Sequence, residues 1–158
     1  MSRPLDDPLR WMDAPLVYDQ EQVHERIPQR HEMALLQGIV THDPETHFAV
    51  GIHDAPHDAF WVRGHIPGRP LMPGIVMVET AAQLSAFCSS FIVPPDEGGL
   101  FGFAGLDDCR FRGQVQPGDR LVLMAKAKRV RRNMAQFDTQ AFVGDQLVFE
   151  GVILGASI

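Results

Sequence analysis

An α+β fold, in which a curved antiparallel sheet encloses one long helix, is predicted by three features of the sequence. The first is a single long apolar run over residues 75–93, whose hydrophobic side chains fall on every helical face rather than along one stripe. The second is a set of six or so β-rich runs, most of them after that helix and joined by short turns. The third is size and composition. A chain of 158 residues, 45% hydrophobic and 22% charged, suits one globular domain and excludes a disordered chain.

Taken in order, Pro4, Pro8 and Pro15 predict a loosely structured start, and residues 1–24 are set apart as an extension to a single domain over 25–158. Residues 19–26 predict a short helix that stops before Pro28, and residues 32–37 a second one. Residues 38–41 and 47–52 predict two strands around the turn His42-Asp43-Pro44-Glu45. Residues 64–74 carry Pro67, Pro70 and Pro73 among glycines, which rules out a helix or central strand and predicts an ordered loop. Pro73 suits a helical first turn, and the run beyond it continues until Pro94-Pro95. Beyond Gly98-Gly99, residues 100–104, 109–115, 121–130, 134–143 and 146–154 predict a late antiparallel meander.

Charge narrows the partners. Fourteen Lys and Arg against twenty Asp and Glu give a net charge of -6, which argues against nucleic-acid binding through phosphate neutralisation. The distribution is uneven: residues 1–58 hold four basic and eleven acidic side chains, whereas residues 107–132 hold eight basic and three acidic. The strip Arg110, Arg112, Lys126, Lys128, Arg129, Arg131 and Arg132 fits either an acidic partner or the solvated face of amphipathic strands. Cys88 and Cys109 read as structural thiols in a reducing compartment. With no basic patch leading into an apolar stretch at the N-terminus and no run long enough to span a bilayer, a cytoplasmic protein without a membrane partner is predicted.

Within the long helix the only charged residue is Glu79, with Gln83 one turn later on the same face. A carboxylate removed from water either finds a partner or takes up a proton. His65 stands in the Gly/Pro loop that leads into that helix, and imidazole is the side chain best matched to proton transfer near neutral pH. Six of the seven histidines lie in the first 58 residues, in polar and acidic sequence; His65 does not. Gly74 opens the helix, where unpaired N–H groups can receive a developing oxyanion. A base, an acid and an oxyanion site suit removal of a proton beside a carbonyl with loss of a β-hydroxyl, although the residue types alone do not select that reaction. His53 and His57 have a metal-like spacing of four, but Pro56 and the polar surroundings predict a loop with no third ligand.

The run from Gly64 to Gln83, GHIPGRPLMPGIVMVETAAQ, resembles the signature of the β-hydroxyacyl-acyl carrier protein dehydratases of type II fatty acid synthesis, approximately GHFPGxPxMPGVLxxEAMAQ. Ile27-Pro28-Gln29-Arg30-His31 resembles that family's I-P-H-R-Y segment, and residues 111–121 its F-R-x-x-V-x-P-G-D-x-L segment. Gln29 stands where the family has His, Ile66 replaces a Phe, and Ala34-Leu35-Leu36-Gln37 lacks the Asp of its F-L-L-V-D run.

The resemblance implies a hotdog fold and active sites shared between two subunits. It assigns His65 as the base, Glu79 as the acid, the Gly74 N–H as oxyanion donor and Gln83 as support for the acid. The implied reaction converts a (3R)-hydroxyacyl thioester to the trans-2-enoyl product without metal or nucleotide, the phosphopantetheine arm being part of the substrate. The implied partners are an acyl carrier protein and a second copy of the chain, as a homodimer or a trimer of such dimers. Glu rather than Asp at position 79 favours the branch that dehydrates without isomerising. Two competing readings are a hotdog thioesterase and a non-catalytic acyl-binding module on the same fold.

Overall fold

A computed structural model of the protein describes residues 3–92 and 100–158. The elements run α1 (Pro8–Trp11), α2 (Gln20–His24), a single 3-10 turn (His31–Met33), β1 (Gly38–Asp43), β2 (Phe48–Asp54), α3 (Gly74–Ser89), β3 (Phe101–Phe111), β4 (Arg120–Arg131), β5 (Met134–Val143) and β6 (Gln146–Ser157). All strand pairs are antiparallel, in the order β1-β2-β4-β5-β6-β3, and α3 packs against one face of that sheet. This is the hotdog arrangement predicted above.

Alternation along the strands creates two cores. Leu121, Leu123 and Ala125 of β4 turn inward with Phe137, Phe149 and Ile153 to meet Leu84 and Phe87 of α3. Val122 and Met124 turn outward and join Val40, Val50, Ile52 and Phe142 in a second, smaller core. Buried hydroxyls on α3 are satisfied within the helix: Thr80 donates to Val76, Ser85 to Ala81 and Ser89 to Ser85.

Five expectations need correction. Residues 3–15 are not loose. Leu5, Trp11, Met12 and Ala14 pack over the outer core, with Arg120 donating to the Met12 carbonyl and the Gln140 amide bridging Leu5 N–H and Arg3 C=O. Residues 32–37 form no helix beyond the 3-10 turn, because the Leu35 and Leu36 N–H groups donate to the Gln83 side chain instead of to helical carbonyls. The two strands predicted over 100–104 and 109–115 are one strand, β3, with register shifts at Phe103/Gly105 and Asp107/Arg110. Helix α3 ends at Ser89, while Val93 and the stop Pro94-Pro95 lie outside the described residues. Finally, α3 is not covered all round. Ile75 is 69% exposed, and Glu79, Ala82 and Ala86 are only half-buried, a stripe at helical spacing that this chain leaves partly open.

The two sheet borders differ. At β1, Tyr18 bridges Ile39 through Tyr18 C=O and N–H contacts, covering the edge there. At β3 the outer edge has no strand beside it among the described residues, and it exposes Phe103 (54%) and Phe111 (52%).

Deleting residues 1–14 is expected to expose the Val50, Val122 and Phe142 face. Stability should fall by about 2–4 kcal/mol, with concentration-dependent association visible by light scattering. An unchanged unfolding midpoint and an unchanged particle size would show the extension to be idle.

Candidate active site

The Gly/Pro loop is fixed by backbone bonds: His65 N–H donates to Trp61, Arg69 N–H to Ile66, and Met72 N–H to Val115. Gly68 adopts φ +81°, a conformation that favours glycine. His65 is exposed, and its Nδ1 lies 2.8 Å from the Leu71 carbonyl. A carbonyl can only accept, so Nδ1 carries the proton and Nε2 is left as the basic nitrogen.

His65 lines a cleft of about 350 Å³ with Ile66, Leu71, Met72, Gly74, Ile75, Met77 and Phe111. The Gly74 and Ile75 N–H groups sit at the first turn of α3, where the helix supplies no carbonyl for them. Glycine at position 74 leaves room for the Phe111 ring. A Cβ there would stand 2.8 Å from the Phe111 ring, which forms the opposite wall.

Glu79 faces a different cleft, with Gln29, Ala82, Ala86, Phe101, Phe103 and Ile153. No lining residue is common to the two clefts, so one chain keeps its histidine and its carboxylate apart. The Glu79 carboxylate accepts a 2.8 Å bond from Gln83 Nε2. Gln83 is 1% exposed and uses its whole amide, since Nε2 also donates to Met33 and Oε1 accepts from Leu35 and Leu36. Gln29 was singled out in the sequence only as a departure from a family pattern. In the structure it stands in the Glu79 cleft with its Oε1 buried and without a partner.

The basic strip lies on the outer sheet face and is interleaved with acids. Arg110, Arg112 and Lys128 line a cleft of about 470 Å³ with Asp108, Asp138 and Glu150. Arg112 pairs with Glu150 and Lys128 with Asp138, while Lys126 stands opposite Asp138 across the strands. Arg129 and Arg131 share a smaller cleft with Met134 and Gln136, and Arg132 sits in the following turn. None of these seven lines the His65 cleft. The cation tied to it is Arg69, which donates to Gln114, a residue of the cleft wall.

His53 is not in polar surroundings as its sequence neighbours suggest; it is an inward residue of β2, 3% exposed. Burial pushes its pKa below the usual histidine value, against the bond to Leu35 and the charge of Asp54. Burial does the same to His42, helped by His47. Both folded-state values are depressed, so below about pH 6.5 the unfolded chain takes up protons that the folded chain refuses. Stability is therefore full above that pH and falls on acidification, by at most ~1.4 kcal/mol per pH unit for each proton. Asp54, held low by its bond to Arg120, and Asp43, held low by Thr46, lose their contribution only as pH falls through and below 3.8. Thermal unfolding should thus give a lower Tm at pH 5.5 than at pH 7.5. A flat profile between those values would contradict the buried, neutral state of these rings.

The model of the FabA-like domain family matches residues 27–152. The chain belongs to the FabA-like family. It is 33% identical over 140 residues to the 3-hydroxyacyl-[acyl-carrier-protein] dehydratase FabZ of Natranaerobius thermophilus, covering 89% of this chain and 97% of that one. It is 37% identical over 130 residues to the FabZ of Chloroflexus aggregans, covering 82% and 89%. Among solved structures, the dehydratase heterocomplex ApeI:P from Xenorhabdus doucetiae matches with TM-score 0.70 at 13% identity, over 86% of this chain and 90% of that one. A mutant of the thioesterase PA1618 from Pseudomonas aeruginosa matches with TM-score 0.66 at 18% identity, over 94% and 97%. At such identities these structures establish the fold alone. The family match begins after the residues that cover the outer core.

Proposed function

We propose that this chain is a cytoplasmic 3-hydroxyacyl-acyl carrier protein dehydratase whose active site forms between two copies of it. In the reaction, His65 Nε2 takes the α-proton of a β-hydroxyacyl thioester and the Gly74 N–H stabilises charge on the thioester oxygen. The C–O bond at the β-carbon then breaks as Glu79 gives its proton to the departing hydroxyl, releasing water and the trans-2-enoyl thioester. The observation that carries this reading is the arrangement along α3: an imidazole with Nε2 as its basic nitrogen beside the helix N-terminus, and a carboxylate braced by Gln83 further along. The separation of the two clefts, the half-open stripe Ile75-Glu79-Ala82-Ala86 and the bare β3 edge together support a partner chain that brings His65 of one copy to Glu79 of the other. Incubation with a short β-hydroxyacyl thioester tests the reaction class. Enoyl absorbance is expected, and free thiol without enoyl product would make the protein a thioesterase instead.

An acidic carrier protein delivering the substrate would meet cations near the His65 cleft; Arg69, bonded to Gln114 of the cleft wall, and Arg63, two residues before His65 in sequence, would supply them, with the outer-face strip as a further docking area. Reversing Arg63 and Arg69 to Glu is expected to raise KM several-fold for carrier-linked substrate and leave a short thioester mimic unaffected. Reversal of Arg129 and Arg131 applies the same test to the strip. Equal loss on both substrates would remove the reversed residues from docking.

A further inference from the structure

We propose that His53 is a positioning residue for the Glu79 carboxyl, acting through the Leu35 backbone and the Gln83 amide. The proposal rests on the reading of Glu79 as the acid. Three consecutive links join the two residues. His53 Nδ1 lies 2.7 Å from the Leu35 carbonyl, which can only accept, so Nδ1 donates. Leu35 and Leu36 N–H donate to Gln83 Oε1 at 3.1 and 3.0 Å. Gln83 Nε2 then donates to Glu79 Oε1 at 2.8 Å.

The amide has no freedom to turn, because a flipped Gln83 would face two N–H donors with its own NH₂ group. Its aim at Glu79 is therefore only as definite as the position of residues 33–36. Strand β2 holds that segment at three successive residues. Ile52 C=O accepts from Gln37 N–H, His53 donates to Leu35, and Asp54 exchanges two bonds with the Gln37 side chain. Among these, His53 alone grips the Leu35 peptide whose N–H reaches Gln83.

The other ring nitrogen points to the same role. His53 Nε2 is buried with no partner, in a position flanked by the core. An apolar side chain would fill the place without stranding a nitrogen, so what a histidine adds here is the bond made by Nδ1.

The test compares three substitutions in the full-length protein, assayed with a short β-hydroxyacyl thioester. His53→Asn keeps an N–H donor at the level of Nδ1. His53→Leu removes the donor, and His53→Gln keeps size and polarity but carries the amide one atom further out. The Asn variant is expected within threefold of the parent kcat, and the Leu and Gln variants about tenfold or more below it at unchanged KM. If the Leu variant does not fold, the Gln variant carries the comparison. A Gln variant within twofold of the parent, or an Asn variant as impaired as the Gln variant, would overturn the proposal while leaving the acid assignment intact. Full turnover by Glu79→Gln would overturn the acid assignment and this proposal with it.

Discussion

His65→Ala and Glu79→Gln are each expected to lower kcat for dehydration by about 10²–10⁴-fold, the usual contribution of a positioned acid or base. The two changes are chosen to spare the fold. His65 is exposed, and its ring contributes a single bond, to Leu71. Gln at position 79 has nearly the shape of Glu and keeps an oxygen for the Gln83 amide, but has no proton to give a departing hydroxyl. Circular dichroism and particle size should match the parent in both variants. Rates within tenfold of the parent in both would remove proton transfer by these residues from the mechanism.

Gln83→Leu is expected to be the most destabilising single substitution at the site. The leucine fits the volume but strands the Leu36 N–H group and leaves Leu35 N–H and the Met33 carbonyl with only their bond to each other, in a segment where Leu35 and Leu36 are themselves buried. A buried group left without a partner costs about 1–3 kcal/mol, and two neighbouring groups lose one bond each, so a net loss of about 2–3 kcal/mol follows. That is a large part of the 5–15 kcal/mol typical of a domain. Urea unfolding checks it, and a loss under ~1 kcal/mol would mean that water or a rearranged loop satisfies those groups. Turnover should fall as well, since Glu79 loses the bond from Gln83 Nε2.

The elements that position the chemistry were legible in the sequence because each has a local cause. Prolines at 67, 70 and 73 exclude regular structure, and the helix starts directly after the last of them, with Pro73 as its N-cap residue rather than in its first turn. A glutamate and glutamine four apart must share a helical face, and the Gln83–Glu79 bond follows from that spacing. The misses all depend on distant contacts. Residues 32–37 look helical until a glutamine from α3 takes their N–H groups. The gap read between residues 104 and 109 is β3 itself. Its Asp107 and Asp108 break the apolar pattern, yet an edge strand tolerates them, and Asp108 has φ 51° at the register shift. In the extension, the Asp7 side chain accepts from Leu9 N–H and caps α1, a short turn at odds with the loose structure that the prolines there predict. That Trp11 would lie on an outer sheet face was not readable, because the apolar face it covers comes from β1, β2, β4 and β5 together. His53 was misjudged for a similar reason, since acidic neighbours in sequence say nothing about which side of a strand faces α3.

The unequal sheet borders have a consequence for how copies of the chain can associate. A strand approaching β1 meets Tyr18 already seated on Ile39, whereas one approaching β3 meets, among the described residues, no paired strand. Growth through strand pairing can therefore happen once: when two molecules join by their vacant margins, both remaining margins are the obstructed kind, and the ribbon stops. The same geometry that invites a companion thus guards against fibre formation.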